Sequence, residues 1–140
     1  MPYVKNWPLL VSAIEQIINH PETWNQGTWG KKNECGTAYC VAGWVLKLSE
    51  NVIDKFVWDD YYFGSELDLV IINGAKMEPE NAASKLLGLG SWADEWSLYS
   101  PGNSLQRVLN VVVDWANRDG YELPALITDA HAVLLAKESV

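Results

Sequence analysis

Leu10, Val11, Ile14, Ile17 and Ile18 recur three and four positions apart, the spacing that gathers apolar side chains on one face of an α-helix. Asn6 stands where an N-cap belongs and Pro8 suits the first turn. His20-Pro21 ends the run at about Asn19, because a residue before proline is pushed out of the α region. A second stripe, Ala38, Val41, Val45 and Leu48, predicts a helix that Thr37 caps through its hydroxyl. Gly43 lies in the middle of it. Glycine there costs about 1 kcal/mol relative to alanine, so close packing or a close ligand is the expected reason for it.

Three more helical stretches follow. Pro79 opens one that runs to Leu87, with Gly88 and Gly90 as its left-handed exit. Ser91 is placed to cap a short one bearing Trp92, Trp96 and Tyr99. Asn103, with Gln106 three residues on, opens the clearest helix, striped by Leu105, Val108, Leu109, Val112, Trp115 and Ala116. A last helix spans roughly Pro124 to Lys137, with Leu126, Ala130, Val133 and Leu134 expected inward. Between Asn51 and Asn73 the composition turns β-branched and aromatic, with Tyr62-Phe63-Gly64-Ser65 as a turn. A small β-hairpin within 52–73 and an irregular or helical passage both fit such short apolar runs. The prediction is therefore a mainly α, compact single-domain helical bundle of five to six helices over residues 1–140, with Ile14, Val41, Val45, Leu109, Val112 and Leu134 in its core.

Charge narrows the function. The chain carries 10 Lys+Arg against 18 Asp+Glu, a net charge of −8. With no basic cluster it is not expected to bind nucleic acid through phosphates. No apolar run approaches the ~18 residues of a membrane span, and the first residues lack a signal-peptide pattern, so the expected compartment is the cytoplasm.

Cys35-Gly36-Thr37-Ala38-Tyr39-Cys40-Val41-Ala42-Gly43-Trp44 is the densest local pattern. Cysteines at a helix start can be reactive, paired or half of a metal site, because the peptide N–H groups there favour a thiolate. They can equally be small buried side chains. Two unmodified, structural thiols are the expectation. His20 and His131 match no standard paired ligand spacing with the cysteines, so no metal is assigned. A Cys40–His131–Asp129 triad would require distant segments to meet, and His131 among Ala130, Ala132 and Val133 reads as a core-edge histidine. The pairs Asp59-Asp60, Asp94-Glu95 and Glu78 with Glu80 read as solvated surface. Gly88-Leu89-Gly90 lacks the third glycine and preceding strand of a dinucleotide fingerprint. No catalytic residue, metal or cofactor is assigned, and the protein is expected not to be an enzyme.

The aromatic residues say more. The sequence has 8 Trp and 6 Tyr but 2 Phe, so most rings carry a polar handle. The segment from Glu22 to Asn33 shows no period and reads as an ordered loop bearing Trp24 and Trp29 amid amides and hydroxyls. Stacking rings beside edge-reading groups suit a small planar polar ligand such as a nucleobase. The candidate ligand-binding residues are Trp24, Gln26, Trp29, Lys31, Lys32, Asn33, Thr37 and Trp44. Trp29 is the expected stacking ring, Asn33 and Thr37 the edge readers, and Lys31 or Lys32 the phosphate partner.

The stretch His20-Pro21-Glu22, Trp24, Gln26-Gly27 and Trp29-Gly30, the cysteine segment, and Ala82-Ala83 before Leu86-Leu87-Gly88-Leu89 resemble a group of small uncharacterised proteins of tailed bacteriophages and some bacteria. In that group a Cys-Gly-Thr-x-x-Cys-x-Ala-Gly-Trp segment precedes an Ala-rich Leu-Leu-Gly-Leu helix. The match covers the first two thirds of the chain loosely, and residues 51–73 depart from it. The resemblance implies a phage accessory protein and brings no known activity. On that footing the expected function is counter-defence by sequestering a small nucleotide-derived signal in a Trp-rich pocket. The alternative is an inhibitor that binds a host protein, in one form as an acidic mimic of nucleic acid. A homo-oligomer is compatible with either.

Overall fold

Antiparallel strands occupy a fifth of the chain and overturn the expectation of a mainly α helical bundle. The fold is that of a computed structural model, which describes residues 2–33, 36–61 and 64–138, the side chains of Asn33 and Glu138 excepted. Its described elements are α1 (Trp7–Asn19), β1 (Lys31–Asn33), β2 (Gly36–Ala38), α2 (Val41–Leu48), β3 (Lys55–Tyr61), β4 (Gly64–Ile72), β5 (Ala75–Met77), α3 (Pro79–Leu87), α4 (Glu95–Tyr99), α5 (Leu105–Asp119) and α6 (Ala125–Glu138), with a 3-10 turn over Pro21–Thr23. It is an α+β domain.

The hairpin within 52–73 is present as β3 and β4. They pair antiparallel from Lys55↔Ile71 to Tyr61↔Gly64, with the register slipping between Val57 and Trp58. Tyr62 and Phe63, part of the expected turn, lie outside the described set. The other side of β4 takes β1 at Ser65 and Glu66 and β5 from Val70 to Ile72. β2 completes the order β2-β1-β4-β3. β1 and β2 are three residues each, polar or small, and without apolar alternation. Their strand character comes from pairing with β4 and with each other, and no local signal announces it.

Most helix boundaries follow local chemistry. The Asn6 side chain accepts from Leu9 N at 3.3 Å, and Gly88 and Gly120 close α3 and α5 at φ 64° and 68°. Three caps differ from expectation, and α6 differs in its buried face. Thr37 sits inside β2, and Cys40 caps α2 in its place. Asp94 rather than Ser91 caps α4, so Trp92 precedes the helix. Ser104 rather than Asn103 caps α5. In α6 the buried residue is Ile127, while Leu126 and Val133 are 36% and 55% exposed. Apolar residues encircle that helix, so spacing does not single out its inner face.

The core is shared. α1, α2 and α3 pack on one another, α3 meets β4, α2 and α5 meet α4, and α6 rests on α1 and α5. Ile14, Val41, Val45, Leu109 and Val112 are fully buried, and the half-buried Leu134 packs against them. Asp119 at the end of α5 holds the chain's beginning. Its carboxylate accepts from Tyr3 N at 2.7 Å, Val4 N at 3.0 Å and Trp7 Nε1 at 2.9 Å. Partial burial pushes its pKa up, but these three donors outweigh that and leave it below the ordinary carboxylate value.

Leu109→Ala should lose about 2–5 kcal/mol in denaturant melts, the usual range for a buried leucine. A loss under about 1 kcal/mol would contradict its burial. For Asp119, a lowered folded-state pKa means stability that is complete above the unfolded value near ~3.9 and fades as pH falls through the folded value. Asp119→Asn should therefore be less stable than wild type at neutral pH, and the gap should close on acidification. Urea melts at a series of pH values read this directly.

Candidate functional site

The segment from Thr23 to Gly30 is an ordered loop because its backbone is laced to the start of α2. Asn25 N donates to Tyr39 O, Tyr39 N to Thr23 O and Cys40 N to Thr28 O, at 2.9, 2.9 and 3.1 Å. Gln26, one of two buried polar residues among those described, joins three elements. Its Oε1 accepts from Trp24 Nε1 at 2.9 Å and Val41 N at 3.2 Å, and its Nε2 donates to Leu98 O at 3.0 Å. Both acceptor sites of that amide are used, so Gln26 serves as an internal staple. Gly43 explains itself here too. A Cβ built on it would lie 1.7 Å from the Trp29 carbonyl oxygen, so the close neighbour is the loop backbone.

The eight expected ligand residues divide among separate surroundings. Lys32, Thr37 and Trp44 line one cleft of about 290 Å³ between the strands and α2. Gln26 and Trp29 line a second of about 250 Å³ on the far side of the loop. Lys31 and Thr37 border a third of about 200 Å³. Trp24 is half-buried and bridged to Tyr39. The side chain of Asn33 is outside the described set, so its edge-reading role has no geometry here.

The first cleft has the densest ring chemistry. Tyr39 is 5% exposed and lies edge-on to Trp44 with centroids 5.0 Å apart, and tilted to Trp58 at 6.3 Å. Phe56 lines it as well. Lys32 Nζ sits 4.0 Å over the Trp58 ring, and Lys47 Nζ bonds Glu50 Oε2 at 2.7 Å. That bond raises the Lys47 pKa. Trp44 is fixed by Nε1 donating to Thr23 O at 2.9 Å. Lys32 and Thr37 reach the cleft together because they are opposed in the β1/β2 register. Tyr39, Lys47, Phe56 and Trp58 are absent from the residues expected from sequence. Tyr39 lay inside the cysteine motif in plain view. Trp58 comes from a hairpin whose placement beside α2 has no local signal.

Comparison with models of protein families, with curated proteins and with solved structures finds no match.

Cys40 is a free, buried thiol whose Sγ accepts from Gly43 N at 3.4 Å. Burial pushes its pKa up to about 12, and the backbone hydrogen bonds at the helix start offset this only in part. The expectation that a helix N-terminus favours the thiolate is thus overridden by desolvation. Cys35 lies outside the described residues. His131 Nε2 meets Asn110 Oδ1 at 2.7 Å, so its ring is partnered on the exposed side of α5 and α6. Among the described residues no three His, Cys, Asp or Glu side chains gather as a metal site, and no helix is long and apolar enough to cross a membrane. Glu95 accepts from Ser84 Oγ at 2.5 Å and Asp94 caps α4, so these two carboxylates serve structure.

A Cys35→Ser variant leaves Cys40 as the single thiol. At neutral pH it should react with a disulfide reagent only after denaturant is added. Rapid labelling of the folded protein would contradict a thiol held protonated in the core.

Proposed function

We propose that the protein binds, without catalysing a reaction on it, a small nucleotide-derived ligand, whose base enters the cleft walled by Tyr39, Trp44 and Trp58. The observation that carries this reading is the union of several rings and two lysines in one cleft of an otherwise acidic chain. Rings supply sequence-tolerant stacking, and Lys32 and Lys47 supply the charge a phosphate needs. A cleft of about 290 Å³ is at the small end for ligand sites and suits a single base with its phosphate towards solvent. Stacking therefore passes from Trp29 to Trp58 in this reading, and Thr37 retains its edge-reading role. If the chain is phage-encoded, as its resemblance implies, sequestering a signal in the host cytoplasm is the corresponding biological role.

One observation favours a second reading, direct inhibition of a host protein. Trp92 and Trp96 are 49% and 53% exposed at neighbouring positions before and within α4, and exposed tryptophans are frequent anchors of protein interfaces.

Calorimetric titration with cyclic and linear mononucleotides distinguishes the two. Wild type should bind at least one at micromolar concentration. Trp58→Ala should weaken it roughly ten- to a hundredfold, since base stacking is worth about 1–3 kcal/mol. Trp29→Ala should leave it unchanged, and the helical circular dichroism of both variants should match wild type. No binding to any member of the panel, with a host protein co-purifying, replaces sequestration by inhibition.

A further inference from the structure

The second cleft has the opposite chemistry and is not needed for nucleotide binding. It lies among the Gln26–Trp29 turn, β4 and α4. Trp29 and Tyr99 meet with centroids 6.3 Å apart and planes at 86°, so a group seated against both touches two walls at a right angle. Trp96 stands at the same cleft with half its surface in solvent, although the adjoining Leu98 and Tyr99 are buried. The Tyr99 hydroxyl is engaged with Ser84 Oγ at 3.1 Å, so that ring is fixed in place.

Among the described residues the lining holds no Lys, Arg or His and has one charged side chain, Glu66. Lys31 stands opposite Glu66 in the β1/β4 register, yet its Nζ lies 5.8 Å over the Tyr61 ring. No ion pair among the described residues includes Glu66. Asp59, its neighbour across β3, adds to the negative field. Aromatic faces attract cations through the ring quadrupole, best of all those of tryptophan, and a carboxylate nearby strengthens the attraction. A phosphate-bearing ligand would meet Glu66 with no lysine to offset it.

From this union of perpendicular rings with one unpaired carboxylate, we propose that the Trp29/Trp96/Tyr99 cleft binds an alkylated ammonium head group, seated on the indole faces with Glu66 as counter-charge. At about 250 Å³ the cleft takes a head group rather than a whole drug-sized molecule. Such a group is found on free quaternary amines and on methylated lysines of proteins, and the chemistry is common to both.

The experiment titrates the full chain with tetramethylammonium, with choline, and with choline's uncharged carbon isostere 3,3-dimethylbutan-1-ol. Proton NMR shifts of the tryptophan indoles are followed, with Trp96→Phe to assign that signal. The cations should bind and the neutral isostere should bind at least tenfold more weakly. Trp96→Ala and Glu66→Gln, both at exposed positions, should each reduce cation affinity about three- to thirtyfold, as a lost cation–π or charge contact does. Two further arms, a trimethyl-lysine peptide and its unmodified lysine counterpart, separate the sources. Preference for the methylated peptide over free choline assigns the site to a protein partner, equal affinity assigns it to a small amine, and each supports the proposal. Equal binding of choline and its isostere, or no cation binding at millimolar concentration, overturns it. Mononucleotide affinity measured in the same variants should stay at the wild-type value, so failure here is distinguishable from failure of the nucleotide reading.

Discussion

The seam between the Thr23–Gly30 loop and α2 is the contact on which the arrangement of clefts depends. Two features make it. Gly43 lets the Trp29 carbonyl come so close that a methyl group would overlap it at 1.7 Å, and the partner is backbone, which cannot swing aside. Gln26 then ties the loop to the start of α2 and the end of α4 with one buried amide. Buried amides are costly unless bonded, so this one specifies a single loop position as well as stabilising it. With the loop held there, Tyr39 and Trp44 face the sheet on one side, and Trp29 faces Tyr99 on the other.

The loop thereby separates two aromatic clefts of opposite charge character. Two lysines and Glu50 border the cleft beside α2, while among the described residues Glu66 alone supplies charge beside α4. The lysines are not equivalent. Lys47 is engaged by the Glu50 carboxylate, whereas Lys32 rests on an indole face with no carboxylate against it in the described residues. Cys40, at the centre of the sequence motif, belongs to the seam and not to either cleft. Its sulfur takes the place of a capping hydroxyl, and burial keeps it protonated. The motif is thus readable as packing chemistry, with two small residues and a glycine where loop, strand and helix converge.

How much of this was legible follows the range of the interactions. Asn6, Pro79, Gly88 and Gly120 announce helix ends because caps and left-handed exits are satisfied within a few residues. The stripe of Val108, Leu109, Val112 and Trp115 announces its own buried face. β1 announces nothing, since its partner β4 is more than thirty residues away in sequence, and β2 is a strand only by pairing with β1. That is why Thr37 reads as a helix cap in sequence and stands in a strand in the fold. The candidate residues failed to gather for a related reason. Neighbours in a loop, such as Trp29 and Lys32, look like one site in sequence, yet the chain passes through the seam between them and they line different clefts.

By itself the sequence determined where the helices lie, the Asn6 cap and the glycine exits, most of the buried set and an aromatic, acidic character. Each of these is decided by contacts a few residues apart or by composition. Only the tertiary structure decided that a five-stranded sheet exists, that Trp58 joins Trp44 while Trp29 does not, and that Glu66 stands among rings without a cationic partner. Those facts depend on where the β3–β4 hairpin docks against the loop and α2. Docking is set by shape and hydrogen bonding between segments far apart in the chain, which no local pattern encodes.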